Sequence, residues 1–215
     1  NRGTVMTGPP GTGKTLSARI IRNHVKSGHT FIWVAARDFH FAGSFGGLRM
    51  AYDMAKELAP SVLCFEDVDN WLTETSIDFL KSEMDGMMRT KGVWTVLTTN
   101  FPERLPAALI DRPGRFHDIL EFGLPTKECR LAMLKKWVPD ADEGVRLMAA
   151  ERTDGYSGAH VRELASFARS LQEGDDLPIN DAVSKAIEKV EEQRDLITKL
   201  LLEGSNYNQI GAHRR

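Results

Sequence analysis

A glycine-rich segment near the start of the chain has the residue types and spacing of a phosphate-binding loop. Residues 8–15 read Gly-Pro-Pro-Gly-Thr-Gly-Lys-Thr and satisfy G-x-x-x-x-G-K-[ST], between an apolar run and a helix-like stretch. Glycines let consecutive backbone N–H groups turn inward around an anion, and the following helix directs its positive dipole end at the same point. Lys14 would bridge the β- and γ-phosphates, and the Thr15 hydroxyl would ligate Mg²⁺. A chance match in this context is rare, so the segment predicts nucleotide binding.

A second group that could do chemistry is a set of acids at the end of an apolar run. Residues 62–69 read Val-Leu-Cys-Phe-Glu-Asp-Val-Asp. If the run is a strand, its acids lie beside the phosphate loop at the carboxyl edge of a sheet, where open α/β sheets bind ligands. One acid is needed to hold Mg²⁺ or its waters, and a neighbour to orient or deprotonate an attacking water. A solvated acidic turn is the simpler alternative.

The elements that must position these residues change character near residue 124. Before that point, short apolar runs alternate with helix-like stretches, which is typical of a parallel sheet wound with helices. The runs lack apolar/polar alternation, as expected for strands covered on both faces. The predicted strands are residues 4–7, 31–35, 62–65, 93–98 and 119–122.

After Pro125 the pattern becomes helical and no further strand is predicted. Thr126 and Ser157 are candidate N-terminal caps, and Gly155 and Gly174 are candidate stops. The predicted helices are residues 126–137, 142–151, 158–172 and 179–202.

Composition excludes several classes of protein. The 215 residues carry 28 Lys+Arg against 30 Asp+Glu, so no global basic field favours nucleic acid. No apolar run approaches about 18 residues, so no membrane span is predicted, and no signal peptide opens the chain. A single disulfide between Cys64 and Cys129 could not stabilise a fold of this size. The two cysteines therefore favour free thiols in the cytoplasm or another reducing, soluble compartment. The start at Asn1 suggests a fragment of a longer protein.

Five motifs, in their order along the chain, resemble those of the ATPase module of AAA+ proteins, specifically the AAA clade. They are residues 8–15, the acidic strand end, Thr98-Thr99-Asn100, Arg112-Pro113-Gly114-Arg115-Phe116 and Gly155-Tyr156-Ser157-Gly158-Ala159. The resemblance extends from residue 1 to about residue 200, and no other nucleotide-binding class carries this set. It implies an α/β P-loop NTPase fold, with a parallel sheet of strand order 5-1-4-3-2 sandwiched by helices and followed by a small all-α lid.

The resemblance also implies roles for individual residues. Asn100 matches sensor 1, which positions the water; alone, it could be a turn amide. Arg112 and Arg115 match arginine fingers that reach the γ-phosphate held by the adjacent subunit, where a permanently charged guanidinium suits developing phosphate charge. Surface arginines flanking a Pro-Gly turn are the alternative. Gly158 and Ala159 match the lid segment near the base and sugar. The implied nucleotide-binding residues are Gly8, Pro9, Pro10, Gly11, Thr12, Gly13, Lys14, Thr15, Leu16, Gly158 and Ala159.

Phe41-Ala42-Gly43 aligns with the aromatic-apolar-glycine loop that projects into the central pore of hexameric family members. An exposed aromatic on a glycine loop can grip an extended chain by stacking without demanding a particular sequence. A core phenylalanine is the alternative, and Phe39 and Phe45 compete for the pore role.

The sequence departs from the family's pattern at two places. The family usually ends its third strand with Asp then Glu, whereas this chain has Glu66 then Asp67. Because four apolar residues precede Glu66, we assign Glu66 to Mg²⁺ and Asp67 to the water. A base shortened by one methylene could slow hydrolysis through poorer geometry. In addition, residues 70–81 are shorter than in many relatives and leave little room for a second pore loop.

Residues 1–124 are therefore expected to form an AAA+ nucleotide-binding domain, residues 125–203 a helical lid, and residues 204–215 a flexible polar tail. The resemblance implies an ATP hydrolase that uses ATP and Mg²⁺, forms a ring homohexamer with arginine fingers acting in trans, and remodels, unfolds or translocates a protein substrate. One alternative is a DNA-associated motor or loader, although nucleic acid is not indicated. Another is an ATP-binding regulatory switch with slow hydrolysis.

Overall fold

The chain divides into two compact units, residues 1–123 and residues 124–215. The protein is described by a computed structural model that covers residues 2–35, 43–70, 73–87, 92–107, 116 and 118–212.

The first unit is built on a parallel β-sheet. Its strands are β1 (Arg2–Thr7), β2 (Thr30–Val34), β3 (Ser61–Phe65), β4 (Val93–Thr99) and β5 (Asp118–Glu121). Neighbouring strands follow the order β2-β3-β4-β1-β5, and every pair is parallel. Read from the other edge, this is 5-1-4-3-2, so the predicted fold class and strand order are confirmed.

Helices cover both faces of this sheet. They are α1 (Lys14–His24), α2 (Gly43–Glu57) and α3 (Glu74–Met87). Val5, Leu63 and Leu97 share a buried cluster with side chains of α2 and α3. The strand neighbours of these residues point the other way, into a second cluster made of Met6, Ala18, Val62, Cys64 and Val96. Burial on both faces explains why the strands read as continuous apolar runs.

The register brings the ends of three strands together at one edge of the sheet. Thr7, the last residue of β1, pairs with Thr99 of β4. Phe65, the last residue of β3, pairs with Leu97 of β4. The phosphate loop, the acidic segment and Asn100 directly follow these strands, so the fold places all three at the same carboxyl edge.

The second unit is helical and has its own core. Its helices are α4 (Lys127–Trp137), α5 (Glu143–Arg152), α6 (Gly158–Gly174) and α7 (Ile179–Ala212). Two predicted N-caps are confirmed: the Thr126 hydroxyl accepts the Cys129 N–H at 3.3 Å, and Ser157 caps α6. Buried Arg130 donates to the carbonyl oxygens of Pro125 and Ala150, which ties the start of α4 to α5.

Helix α7 is longer than the sequence pattern predicts. It continues past Gly204, where a polar tail is expected, and reaches Ala212. A single internal glycine costs a helix about 1 kcal/mol relative to alanine, which is too little to require a stop.

Both cysteines are free thiols, as predicted. Burial raises the pKa of the Cys64 thiol to about 12, so this residue is a core side chain and not a nucleophile.

No helix in the described part of the chain is long and apolar enough to cross a membrane.

Candidate nucleotide-binding site

The loop between β1 and α1 has a backbone that only glycine adopts without strain. Gly8, Gly11 and Gly13 have φ values of 137°, 77° and 110°. At Gly8 the packing adds a second requirement, because an ideal Cβ there would lie 2.1 Å from the carbonyl oxygen of Phe122. Phe122 is held in place by a 2.7 Å hydrogen bond from its N–H to the Thr7 carbonyl oxygen. The loop therefore depends on glycine both for its turn and for its contact with the chain after β5.

Lys14, the first residue of α1, is buried inside this loop. Its Nζ donates to the carbonyl oxygens of Gly8 at 2.6 Å and Pro9 at 2.9 Å. Burial lowers the pKa of the Lys14 ammonium, and the nearby carboxylates of Asp67 and Asp69 oppose that shift. An ammonium has three donors. The loop thus holds a cation by two of them and leaves the third for an anion.

The Glu66 carboxylate lies between helix α1 and strand β2. Its Oε1 accepts a hydrogen bond from the Thr15 hydroxyl at 2.5 Å, and its Oε2 accepts one from the indole Nε1 of Trp33 at 3.1 Å. Thr15 is in the first turn of α1, and Trp33 is on β2. The carboxylate is thus contacted by donors from two different elements.

Asp67 turns away from this arrangement because its backbone is left-handed, with φ of 47°. Its N–H donates to the Thr98 hydroxyl at 3.0 Å, and its Oδ1 accepts the Asn100 amide at 3.3 Å. Burial raises the pKa of the Asp67 carboxyl, and the charges of Glu66 and Asp69 raise it further. A carboxylate with a raised pKa is a better proton acceptor than an exposed aspartate, which suits a general base.

A cleft of about 750 Å³ opens beside these acids. The described residues that line it are Arg19, Arg22, Trp33, Ala35, Glu66, Asp67 and Asn70. The carboxylates of Glu66 and Asp67 therefore face an open cleft whose lining includes two arginines and the Trp33 indole.

The described residues fit a nucleotide phosphate chain and its magnesium ion. An ideal Cβ at Gly13 would meet nothing within 4 Å, so the loop is open there to an anion, and Lys14 supplies the positive charge. The Thr15 hydroxyl and the Glu66 carboxylate are hard oxygen donors in mutual contact. Among the described residues, no group of three or more His, Cys, Asp or Glu side chains could hold a metal by itself. Mg²⁺ keeps waters and phosphate oxygens as ligands and needs few ligands from a protein.

Comparison with known proteins decides the family. The model of the ATPase family associated with various cellular activities (AAA) matches residues 4–124, more than half of the chain. The chain belongs to the AAA family of ATPases. The predicted AAA+ ATPase module is thereby confirmed, and ATP hydrolysis is the activity of this family.

Curated relatives of this AAA chain come from several kinds of organism. It is 33% identical to the proteasome-activating nucleotidase of Thermococcus kodakarensis over 211 residues, covering 88% of this chain and 52% of that protein. It is 30% identical to the ATP-dependent zinc metalloprotease FtsH of a Synechococcus species over 236 aligned positions, covering 98% and 36%. It is also 30% identical to the cell division cycle protein 48 homolog of Archaeoglobus fulgidus, covering 79% and 25%. The chain spans about half or less of the length of these relatives.

Several residues assigned from the AAA resemblance lie outside the described part of the chain. They are the arginine-finger candidates Arg112 and Arg115 and the pore-loop candidates Phe41 and Ala42. Gly43 is the first residue of α2. Gly158 and Ala159 begin α6 in the second unit. The roles of these residues stay predictions.

Asp69 and Trp33 hold groups of the candidate nucleotide-binding site in place, and neither was identified from the sequence. Asp69 accepts the Thr99 hydroxyl at 2.7 Å and the Asn100 N–H at 3.1 Å on one oxygen, Oδ1. It therefore braces the segment that carries Asn100. The only sequence signal for Asp69 is its place in the acidic segment. Trp33 gave no signal, because its contact with Glu66 depends on how β2 pairs with β3.

Proposed function

We propose that the first unit binds Mg²⁺ and ATP and hydrolyses ATP to ADP and phosphate. One observation carries the proposal: two adjacent carboxylates have different partners. Glu66 contacts the hydroxyl of Thr15, and Asp67 contacts the amide of Asn100. Carboxylates with separate partners can serve separate roles, one at a metal ion and one at a water.

Binding of the phosphates is assigned to the loop of residues 8–15. Its backbone N–H groups and the Lys14 ammonium would face the phosphate oxygens, with the N-terminus of α1 adding its positive dipole end. Thr15 and Glu66 would hold the magnesium ion. When bound, Mg²⁺ neutralises charge on the phosphate oxygens.

Activation of the water is assigned to Asp67 and Asn100. Asp67 would take the proton from the attacking water, since burial makes this carboxylate more basic than an exposed one. The Asn100 amide has two N–H donors. One reaches Asp67, and the other can orient the water or the phosphate it attacks.

The test compares Asp67→Asn with Glu66→Gln. Asp67→Asn keeps the size of the side chain but removes the base, so turnover should fall by about a hundredfold or more while ATP binding persists. Glu66→Gln should weaken the magnesium dependence of ATP binding. Steady-state phosphate release and ATP titration calorimetry measure the two effects, and Asp53→Asn, at an exposed position of α2, is the matched control.

Two results would contradict these assignments. If turnover survives Asp67→Asn and is lost only in Glu66→Gln, the roles of the two acids are reversed. If the wild-type chain neither binds nor hydrolyses ATP with Mg²⁺, the proposed activity itself is wrong.

We further propose that this activity drives work on a protein substrate in a ring. Relatives named as a proteasome-activating nucleotidase and an ATP-dependent metalloprotease support a link between nucleotide and protein processing. In this proposal the chain assembles as a homohexamer, Arg112 and Arg115 act on the neighbouring site, and Phe41-Ala42-Gly43 contacts the substrate. Residues 1–124 bind nucleotide, and residues 125–203 serve as the lid that supplies Gly158 and Ala159.

The pore assignment is tested by Phe41→Ala. ATP hydrolysis should stay within about twofold of wild type, because the proposal gives this side chain a role at the substrate and none at the nucleotide, while processing of an unfolded model polypeptide should be lost. Phe39→Ala and Phe45→Ala are the matched comparisons. Loss of processing in one of these instead of Phe41→Ala would move the assignment to that residue.

Two alternatives are separated by simple measurements. Turnover per subunit that does not rise with protein concentration would argue against arginines acting in trans and favour a regulatory switch. Strongly salt-dependent DNA binding would favour a DNA-associated motor.

A further inference from the structure

The indole of Trp33 contacts the carboxylate that the proposed function places at magnesium. Trp33 pairs with Cys64 across β2 and β3, and the ladder continues through a 2.9 Å hydrogen bond from the Glu66 N–H to the Val34 carbonyl oxygen. Because side chains two residues apart on a strand share a face, Glu66 projects on the same side as Cys64, diagonally across from Trp33. The indole Nε1 donates to Oε2 of Glu66 at 3.1 Å.

The donor of this hydrogen bond is anchored by apolar packing. The Trp33 ring packs against the cluster of Met6, Ala18, Val62, Cys64 and Val96, and its centroid lies 5.8 Å from that of Phe31. Tryptophan has a single polar side-chain atom and few rotatable bonds. The packing of the ring therefore determines where its N–H points, and that direction is toward Glu66.

The other oxygen of the Glu66 carboxylate, Oε1, faces helix α1 and accepts a hydrogen bond from the Thr15 hydroxyl. A carboxylate is planar, so a donor on Oε2 restricts rotation of the group and with it the direction of Oε1. We propose that Trp33 is a positioning residue that orients Glu66 toward Thr15 and thereby raises the affinity of the ATP-bound site for Mg²⁺. This inference rests on the proposed function.

The chain contains a matched control in Trp94. This residue lies on β4 opposite Arg2 of β1, and its Nε1 donates at 2.9 Å to the hydroxyl of Thr4, two residues further along β1. It packs half-buried against the same apolar cluster as Trp33. Trp94→Phe therefore removes the same kind of diagonal indole hydrogen bond, in the same sheet, without touching a carboxylate.

The experiment measures the dissociation constant of ATP by calorimetry in EDTA and over a series of free Mg²⁺ concentrations. Trp33→Phe keeps an aromatic ring and removes the donor. We expect it to leave the affinity in EDTA within about twofold and to raise the Mg²⁺ concentration at the binding midpoint by about tenfold. Trp94→Phe should move neither quantity, and thermal unfolding of both variants checks that each is folded.

A double-mutant cycle with Glu66→Gln separates positioning from a general effect of the ring. In the Glu66→Gln background, Trp33→Phe should produce no further shift of the Mg²⁺ midpoint, because the two residues act through one contact. A full tenfold shift of the Mg²⁺ midpoint on adding Trp33→Phe to Glu66→Gln overturns the inference. The inference also fails if Trp33→Phe alone has the same Mg²⁺ midpoint as the wild type. Failure of the wild-type chain to bind ATP at all would instead refute the proposed function, and this inference with it.

Discussion

Two helices of the molecule begin in opposite ways. Helix α1 follows Gly13, which has a left-handed backbone with φ of 110° and no side chain to cap the helix. Helix α6 follows Ser157, whose hydroxyl accepts the His160 N–H at 3.5 Å while the His160 ring Nδ1 accepts the Ser157 N–H at 3.2 Å. The first helix leaves its terminal N–H groups uncapped by the preceding residue, whereas the capping box of the second gives partners to the N–H groups of Ser157 and His160.

The difference shows that an N-terminus without a side-chain cap leaves more of its N–H groups to an external anion than a capped one does. The first N–H groups of any helix lack partners within the helix and must be satisfied by a cap, water or a ligand. At α6 the chain's own atoms, the Ser157 hydroxyl and the His160 ring, satisfy two of these donors. The glycine loop and Lys14 leave the N-terminus of α1 to an anion. Each of the following substitutions tests this contrast, beginning with the largest expected effect.

Lys14→Ala should abolish saturable ATP binding. The ammonium is buried in the loop and is the loop's positive charge, so we expect affinity to fall by about a thousandfold or more. ATP titration calorimetry measures this loss. Lys26→Ala, at an exposed position after α1, should bind as wild type does. Comparable binding by the Lys14 and Lys26 variants would show that the N-terminus of α1 is not the phosphate site.

Gly8→Ala should destabilise the first unit more than Gly13→Ala. Both positions have left-handed φ, but only at Gly8 would a Cβ meet a backbone atom, the Phe122 carbonyl oxygen. We expect a loss of about 3 kcal/mol or more in the free energy of unfolding for Gly8→Ala and about 1–2 kcal/mol for Gly13→Ala. Urea unfolding followed by circular dichroism gives both values. Equal losses would mean that backbone strain alone, and not the approach of Phe122, requires glycine.

Ser157→Ala should have the smallest effect. Removing the cap of α6 should cost about 1 kcal/mol of unfolding free energy. Ser166→Ala, at an exposed position inside the same helix, should be neutral or slightly stabilising because alanine is the better helix former. The same urea titrations provide the comparison. No loss in the Ser157 variant would show that this terminus does not depend on its capping box.

The architecture could be predicted because its signals are local. The apolar runs of the first half predict strands, and the segments after Pro125 predict helices whose caps at Thr126 and Ser157 are confirmed. The length of α7 could not be predicted, because a polar segment with two glycines, Gly204 and Gly211, is compatible with either a tail or a helix. The roles of Arg112, Arg115 and Phe41 come from the resemblance alone and stay predictions.

The sequence by itself determined the phosphate loop through the spacing of its residues, and it determined the family through five motifs in order. The order of the strands came only from what the resemblance to that family implies. Only the tertiary structure decided which partner each acid has. Glu66 contacts Trp33 and Thr15 because of the pairing of β2 with β3 and the placement of α1, whereas Asp67 reaches Asn100 through a left-handed backbone. The strand register and the backbone conformation at Asp67 exist only in the folded chain, so these contacts form only on folding.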